Sequence, residues 1–274
     1  MRRISEELNR LGKKYRILRL ADLRFPLKKY PKYIMILFLD IMQHRDDLIY
    51  GLCVLEEFTR AGVTVIPPIK GLYYSDKFSN YLLCNRYLRK TIQMPDTLCS
   101  INLEVSKEFL QQYKRLIFKP ISGSMGIGIE IVETENRLKE LQDQYHALFL
   151  QEIIPDRGYD IRTFVIGDQI VAQYARYNSK SFLKNIHLGA VPKSIDEMME
   201  LDPDIQSFAD ISREIAKEIR KVAELEIIGV DTLPSKKDGQ VYLIEWNSVP
   251  GFRGAEEATG VNVAGEIVNF LFKD

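Results

Sequence analysis

Apolar segments of strand length alternate with helical segments along most of this 274-residue chain. The breaks between them are short and contain glycine or proline, as at Gly12, Gly62 and Pro67-Pro68. This alternation is typical of α/β proteins, in which helices cover sheets. No apolar run is long enough to span a bilayer, and the N-terminus has no apolar signal-like core. The sequence therefore predicts an α/β fold built from α+β lobes, in a cytoplasmic protein.

Periodicity and capping residues predict the individual elements. In the N-terminal part the predicted strands are Tyr15–Leu20, Lys32–Leu39 and Val63–Ile66, and the predicted helices are Ser5–Leu11 and Asp46–Ala61, the latter with Ile49, Leu52 and Cys53 on one face. Ser75 is expected to cap a helix that runs to about Arg89. The later predicted strands are Arg115–Lys119, Ile127–Val132, Ala147–Ile154, and the pair Thr163–Ile166 and Ile170–Ala175, which a Gly167-Asp168 turn joins. Helices are predicted to begin at Thr134, at Ser207 (to Leu225, with Ile211, Ile215 and Ile219 stacked at four-residue spacing) and at Val263 (to about Phe272, with Asn262 able to cap it), and Ile227–Leu233 with Val241–Trp246 is a predicted hairpin.

Charge and cysteine content exclude several classes of protein. Lys+Arg and Asp+Glu balance at 38 each, so no global field attracts nucleic acid or a membrane surface, and we expect neither as a partner. The cysteines Cys53, Cys84 and Cys99 show no spacing typical of a disulfide framework or a zinc site. Basic residues are concentrated in the first 32 positions. They form either a docking face for an anionic partner or a solvated face.

The second strand of the last predicted hairpin carries two oxygen-bearing side chains, Glu245 and Asn247, two residues apart. Because strand side chains alternate between faces, these two point the same way, and Asp231 on the first strand can lie opposite them. A set of oxygen ligands without soft donors suits Mg²⁺, with Mn²⁺ as a second candidate. The alternative is a solvated pair of edge carboxylates, although Leu243 and Ile244 favour a buried strand.

A segment rich in glycine and serine, residues 119–128, follows the predicted strand that ends at Lys119. Glycine allows backbone N–H groups to approach phosphate oxygens closely, and the lysine supplies a positive charge. The segment is not a Walker loop, because no Gly-Lys-Ser/Thr ends it and no helix follows. It either binds phosphate or forms a plain β-turn.

A third group of polar residues follows the next predicted strand. The end of that strand, Gln151-Glu152, can offer backbone groups to an adenine edge, and the Asp160 carboxylate can bind ribose hydroxyls. Arg162 and Arg176 lie in or beside apolar strand patterns, where arginine is tolerated if it pairs with phosphate or carboxylate. Structural salt bridges are the alternative for both arginines.

Taken in order, these motifs resemble the ATP-grasp superfamily, and among its members the RimK-like amino-acid ligases. The resemblance runs from about Asp76 to the C-terminus. It rests on Asp76-Lys77, the Lys119 glycine loop, Gln151-Glu152, Asp160-Ile161-Arg162, Arg176, Asn185-Ile186-His187, Gly229-Val230-Asp231, Glu245-Trp246-Asn247, and Pro250-Gly251-Phe252 with Ala258-Thr259-Gly260.

The resemblance implies an ATP-grasp fold with an N-terminal pre-ATP-grasp α/β lobe. The expected lobes are 1–74, 75–154 (the central lobe with a glycine-rich lid) and 155–274 (the C-terminal lobe with the metal site). The first lobe of the family normally opens with a strand, whereas Met1 here leads almost directly into a helix. Either this lobe is trimmed or the true start lies upstream.

The resemblance also implies roles for the motif residues. Those expected to contact ATP are Lys77, Lys119, Ser122, Gly123, Ser124, Met125, Gly126, Glu152, Ile154, Asp160 and Arg162; those expected to bind Mg²⁺ are Asp231, Glu245 and Asn247; those expected to be catalytic are Arg176 and, in support of it, Asn185. The two lysines would contact the phosphates, the glycine loop would close over them, and Glu152 and Ile154 would meet adenine through backbone groups.

The activity implied is an ATP- and Mg²⁺-dependent ligation of a carboxylate to an amine through an acyl phosphate. The amine would belong to glutamate or another amino acid, and the acceptor would be a protein C-terminus or a coenzyme; a homo-oligomer is compatible with this. RimK-like enzymes usually show Asn-x-His-Arg-Gly-Gly, but Leu188 and Ala190 replace the arginine and the second glycine. His187 is either a substrate contact or structural. A regulatory or scaffold protein that binds ATP without ligase turnover is the alternative.

Overall fold

Three separate β-sheets organise the chain, which a computed structural model describes at residues 2–37, 45–74, 76–123 and 126–273. The elements are α1 (Arg2–Arg10), β1 (Tyr33–Met35), α2 (Arg45–Arg60), β2 (Thr64–Ile66), α3 (Ile69–Tyr73), α4 (Lys77–Tyr87), β3 (Thr97–Ser100), α5 (Leu103–Tyr113), β4 (Leu116–Lys119), β5 (Glu130–Val132), α6 (Glu135–Tyr145), β6 (Leu148–Glu152), β7 (Tyr159–Ile166), β8 (Gln169–Tyr177), β9 (Val191–Lys193), α7 (Ile195–Met199), α8 (Ile205–Ala223), β10 (Ile227–Pro234), β11 (Val241–Asn247), α9 (Arg253–Thr259) and α10 (Val263–Leu271). Each sheet lies within one of the segments 1–74, 75–154 and 155–274, and we propose these segments as three lobes.

The first lobe contains a two-stranded parallel sheet, in which Tyr33 of β1 pairs with Thr64 of β2. Helix α2 covers it with Val54, Leu55 and Phe58, all of them buried. The face predicted to carry Ile49, Leu52 and Cys53 is not the one that packs, because Ile49 and Cys53 are exposed and Leu52 is only half-buried. The stripe that contains Phe58 is the bulkier apolar face of this helix, and it packs against β2.

The predicted strand Tyr15–Leu20 was also wrong. Residues 13–19 have no regular secondary structure, and the side chains of Tyr15, Ile17 and Leu18 are exposed. Aliphatic and aromatic residues favour strands only where a neighbouring strand and a packing surface exist, and this segment pairs with no strand among the described residues. Of the predicted strand Lys32–Leu39, the structure retains β1, and residues 38 and 39 lie outside the described ranges.

The central lobe is a four-stranded antiparallel sheet in the order β3-β6-β4-β5, packed against α5 and α6. Its core contains fully buried Leu116, Phe118 and Leu138. The Thr134 hydroxyl caps α6 as predicted, accepting a hydrogen bond from the Arg137 N–H. Ser75, the predicted cap of α4, lies outside the described residues. Asp76 caps that helix instead.

Truncating the Leu138 side chain should lower the stability of the central lobe. Leu138 on α6 is fully buried, so Leu138→Ala should leave a cavity and lower the free energy of unfolding by about 2–5 kcal/mol. Urea denaturation followed by circular dichroism measures this. The control is Lys139→Ala on the same helix, whose exposed side chain should change stability by less than about 0.5 kcal/mol. Equal losses for the two variants would contradict the assigned core.

The C-terminal lobe is a five-stranded antiparallel sheet in the order β11-β10-β7-β8-β9. The long helix α8 covers one face with buried Ile215 and Ile219, whereas Ile211, predicted to stack with them, is 44% exposed. Helices α1, α9 and α10 cover one end of the other face, where Phe164 and Ile267 are buried in the same cluster. The opposite end of that second face carries the charged residues predicted as a site.

Candidate active site

The antiparallel register places six of the predicted residues on one face of the five-stranded sheet. Asp160 pairs with Arg176, Arg162 pairs with Asp231, and Asp231 pairs with Glu245. Asn247 lies two residues further along β11, opposite Gly229, and therefore faces the same way. The predicted hairpin geometry of Asp231, Glu245 and Asn247 is thus confirmed at the level of the backbone.

This face forms a wall of a large cleft, about 1850 Å³ in volume, between the two larger sheets and the first lobe. The cleft is lined by all predicted site residues that the structure describes: Lys77, Lys119, Ser122, Gly123, Gly126, Glu152, Ile154, Asp160, Arg162, Arg176, Asn185, Asp231, Glu245 and Asn247. Ser124 and Met125 lie outside the described residues. Residues more than 150 positions apart therefore converge on one space, which is large enough for a nucleotide and further substrates.

The oxygen ligands predicted for a metal ion differ in what surrounds them. Glu245 has no hydrogen bond or ion pair with any described residue, and the Nδ2 atom of Asn247 is buried without an acceptor. Asp231 is buried, and its carboxylate accepts hydrogen bonds from both the Nε and a terminal nitrogen of Arg162. No group of three His, Cys, Asp or Glu side chains in the described ranges is arranged to hold a metal. The predicted set differs from such a group because it contains two carboxylates and an amide, an all-oxygen donor set that fits Mg²⁺.

Two buried carboxylates, one buried arginine and one partly buried arginine form a continuous ion-pair network on this wall. The Arg176 Nε donates to Asp160 at 2.7 Å, and its terminal nitrogen donates to Asp231 at 2.8 Å. Burial raises the pKa of Asp160 to about 6, against the opposing effect of Arg176. Burial would also raise the pKa of Asp231, but Arg162 and Arg176 hold it below its ordinary value. The salt-bridge alternative for both arginines is therefore what this structure shows, and their contacts with phosphate stay a prediction.

The two predicted phosphate lysines sit in different environments. Lys119, at the end of β4, is only 7% exposed, and burial lowers its pKa to about 8, although Glu245 and Asp231 act in the opposite direction. Lys77, in the first turn of α4, is half-buried and donates from Nζ to the Gly123 carbonyl oxygen at 2.9 Å. The Lys119 ammonium group donates no hydrogen bond to a carboxylate among the described residues. A buried ammonium group of this kind favours an anionic ligand.

The glycine-rich segment closes against the loop that contains Asn185. Gly126 has a φ of +75°, and a Cβ atom placed there would lie 2.5 Å from the Asn185 Oδ1 and 3.2 Å from a methyl group of Leu188. Asn185 makes no hydrogen bond with Arg176, so its predicted support of that arginine is not seen here. The glycine lets this segment, the predicted lid, lie directly against Asn185.

Substituting Gly126 by alanine should keep this lid from seating. The positive φ alone costs about 1–2 kcal/mol, and the contact with Asn185 adds to it. We expect the KM for ATP to rise about tenfold or more. Gly239→Ala is the control, since Gly239 has a φ of +68° but open space around its Cβ position. If both variants raised KM equally, backbone strain rather than lid contact would explain the effect.

The predicted adenine-binding segment is partly available for hydrogen bonding. The Glu152 N–H already donates to the Asp96 carbonyl at 2.9 Å, so this donor is occupied. The Ile154 N–H has no acceptor within the described part of the chain, and Ile154 lines the cleft. The backbone of Ile154 is therefore the better placed of the two to meet an adenine edge.

Sequence reasoning missed a buried lysine beside the site. Lys184 lines the cleft, is 5% exposed, and donates to the carbonyls of Asn178 and Ser181 while pairing with Asp156 at 3.0 Å. These bonds hold the loop before Asn185. A lysine between Leu183 and Asn185 shows no periodicity or motif, so no sequence signal pointed to it.

Comparison with known proteins decides the family. A model of the RimK-like ATP-grasp domain matches residues 75–271. The chain belongs to the RimK-like ATP-grasp family. The match begins where the resemblance had been predicted to begin, and it includes every predicted site residue. The first lobe lies outside it.

Curated relatives extend the similarity of this RimK-like chain over most of its length. It is 32% identical over 235 residues to a probable alpha-L-glutamate ligase of Trichodesmium erythraeum (strain IMS101), covering 82% of this chain and 73% of the relative. It is 31% identical over 234 residues to a probable alpha-L-glutamate ligase of Vibrio cholerae serotype O1 (strain M66-2), covering 82% and 72%. The family is thus one of ATP-grasp ligases.

Solved structures support the ATP-grasp fold for the RimK-like chain. The ATP-grasp ligase PsnB complexed with minimal precursor superposes with a TM-score of 0.71 at 17% identity, covering 98% of this chain and 93% of that one. The D-cycloserine synthetase DcsG gives a TM-score of 0.70 at 12% identity, covering 99% and 94%. At these identities the likeness extends to the fold alone. Within the described ranges, no helix combines the length and apolar character needed to cross a membrane.

Proposed function

We propose that this protein is an ATP- and Mg²⁺-dependent carboxylate–amine ligase that works through an acyl phosphate. The observation that carries the proposal is the convergence, in one cleft, of a buried lysine, two unpartnered oxygen ligands and a glycine-rich lid. The curated relatives, named as probable alpha-L-glutamate ligases, suggest glutamate or another amino acid as the amine. The acceptor is a carboxylate on a protein or a coenzyme.

The chain's own residues would perform mainly positioning and charge neutralisation. Lys77 and Lys119 would bind phosphate oxygens of ATP. Arg176 would bind the transferred phosphate once this phosphate competes with the carboxylate partners of the arginine. Glu245, Asn247 and Asp231 would hold Mg²⁺, which supplies charge neutralisation on the phosphates when bound. The acceptor carboxylate oxygen attacks the terminal phosphorus of ATP and ADP leaves; the amine then attacks the acyl carbon and phosphate leaves.

The lid would protect the activated intermediate from water. Seating of Gly126 on Asn185 covers the cleft at the position where the loop meets the charged wall. Exclusion of water prevents hydrolysis of an acyl phosphate and strengthens the electrostatic contacts inside. Lys184 supports this arrangement by fixing the loop that precedes Asn185.

ADP release tests the proposal. Purified protein is incubated with ATP, Mg²⁺, single amino acids and a desalted cell extract as the source of acceptor, and hydroxylamine is added to trap the acyl phosphate as a hydroxamate. Without hydroxylamine we expect ADP release that requires Mg²⁺ and one amino acid. With hydroxylamine in place of the amino acid we expect ADP release together with hydroxamate. Tight ATP binding without ADP release in any mixture would favour the scaffold alternative, for which the Leu188 and Ala190 departures are the only motif-level support.

A further inference from the structure

The segment between α1 and β1, residues 13–32, is the most one-sidedly charged part of the chain. It contains eight basic residues and a single acid, Asp22, although the whole chain is neutral. We call this segment the basic strap. Apart from a short 3-10 turn at Leu20–Asp22, it has no regular secondary structure.

The basic strap is anchored to the first lobe. Leu23 and Leu27 pack against the core that contains Phe58, and the Tyr30 ring meets the Phe58 ring edge-on at 6.0 Å. The Lys32 carbonyl oxygen accepts a hydrogen bond from the Thr64 N–H at 3.1 Å. The strap therefore holds a defined path across the surface.

Most cations of the basic strap have no acidic partner within the described part of the chain. Lys14, Arg16, Arg24, Lys28 and Lys29 are exposed, and none of them makes an ion pair or hydrogen bond with another described residue. By contrast, the arginines at positions 115, 137 and 157 are paired with carboxylates. Unpaired cations at this density produce a local positive potential that attracts anions.

Exposed apolar side chains lie between these cations. Ile17 is 55% exposed, Phe25 is 42% exposed, and Tyr15 and Leu18 are each 41% exposed. Large apolar groups grouped on a surface and surrounded by polar ones are typical of sites that bind another molecule. The combination fits a ligand that carries both negative charges and apolar side chains.

The basic strap connects two elements that line the cleft. Arg2 and Arg3 of α1 line it on one side of the strap, and Met35 and Ile36 line it just beyond the other end. Met35 is three residues from Lys32, a span of roughly 10 Å. A polypeptide lying on the strap can therefore extend an end or a side chain into the cleft.

We propose that the basic strap docks an acidic polypeptide with interspersed apolar residues, and that this polypeptide is the carboxylate acceptor. The step from partner to acceptor rests on the proposed ligase function; the docking itself does not. Exposed aliphatic side chains such as Ile17 and Leu18 favour a peptide over nucleic acid, whose phosphates bind cations and whose bases stack on aromatic rings. The strap is irregular and extended, whereas segments that bind a flat lipid surface are typically amphipathic helices. Its conformation therefore favours a peptide as the partner.

Peptide binding in the absence of nucleotide tests the docking. A fluorescein-labelled peptide of alternating glutamate and leucine is titrated with the full chain and followed by anisotropy. We expect saturable binding that weakens as salt rises, and no binding of the counterpart with glutamine for glutamate. The double variant Lys28→Glu/Lys29→Glu, and separately Arg16→Glu, should weaken binding about tenfold or more.

The matched control is Lys90→Glu/Lys139→Glu, which makes the same change in net charge at exposed, unpaired positions outside the strap. It should change affinity less than about threefold. The proposal is overturned if the peptide does not bind or if both double variants weaken binding equally. It is also overturned if anionic vesicles or duplex DNA bind the native chain more tightly than the peptide does, and if the Lys28→Glu/Lys29→Glu variant weakens that binding. Because the binding assay contains no ATP, a lack of peptide binding would not contradict the proposed ligase function. Likewise, a lack of ADP release would not contradict the proposed docking.

Discussion

Replacing Lys119 by methionine should make the nucleotide-free protein more stable and should strongly lower ATP-dependent turnover. The Lys119 ammonium group is buried, and burial lowers its pKa from its usual 10.5 to about 8. The folded state without ligand therefore carries a charge that would be better solvated in the unfolded state. Methionine has a similar shape and no charge, so Lys119→Met should raise the free energy of unfolding by on the order of 2–3 kcal/mol.

The pH dependence of this gain has a definite sign. Below pH 8 the lysine is protonated in both states, so the full penalty of the buried charge is present. Between pH 8 and 10.5 the folded protein loses its proton first, and the penalty shrinks. Above pH 10.5 the group is neutral in both states, and the advantage of the variant should disappear. Urea denaturation of both proteins at several pH values measures the difference.

Turnover of the Lys119→Met variant should fall about a hundredfold or more, because the proposed contact of Lys119 with the transferring phosphate is lost. Lys77→Met provides the matched control, since Lys77 is half-buried and bonded to the Gly123 carbonyl. This second variant should also lose turnover but should gain no stability. A Lys119→Met protein that is less stable than the native chain at pH 7 would contradict the buried, unpaired state assigned to this lysine.

Glu245 and Asp231 should respond differently to the loss of charge, although both are predicted metal ligands. Glu245 has no partner among the described residues, so Glu245→Gln should leave stability within about 1 kcal/mol. Asp231 balances Arg162 and Arg176, so Asp231→Asn should destabilise the fold by about 3–5 kcal/mol. Both variants should lose turnover by about a hundredfold or more.

Titration with Mg²⁺ at fixed ATP analogue separates these roles. For Glu245→Gln the Mg²⁺ concentration needed for half-maximal binding should rise, while the unfolding curve stays in place. Asp238→Asn on the same hairpin is the control, because this carboxylate lies at the exposed turn and bonds to Tyr242. A Glu245→Gln protein with unchanged Mg²⁺ dependence would remove Glu245 from the metal site.

Capping residues, turn residues and strand alternation predicted those parts of the fold that depend on residues close together in the sequence. Thr134 and Asn262 cap α6 and α10 as expected, and the turn at Gly167-Asp168 joins β7 to β8. The final hairpin has the predicted register because period-two alternation fixes which side chains share a face. The predicted site residues that belong to motifs and that the structure describes therefore line one cleft, and their roles stay predictions.

Tertiary contacts determined the features that sequence reasoning missed. Tyr15–Leu20 has the composition of a strand but lacks a described neighbour to pair with, and α2 buries Phe58 rather than Ile49 because β2 lies on that side. The pairing of Arg162 with Asp231 depends on the order of β7, β10 and β11 in the sheet. The clamp formed by Lys184 needs Asp156, which lies 28 residues earlier in the chain. Ion pairs between residues far apart in the sequence produce no periodic pattern from which they could be predicted.

Calorimetric titration of the native chain with a non-hydrolysable ATP analogue tests the central claim most directly. We expect one nucleotide to bind per chain when Mg²⁺ is present. Binding should be much weaker when Mg²⁺ is chelated, and it should be lost in Lys119→Met. Absence of binding with Mg²⁺, or equal binding with and without it, would contradict a magnesium–nucleotide site between Lys119 and the Asp231–Glu245–Asn247 wall.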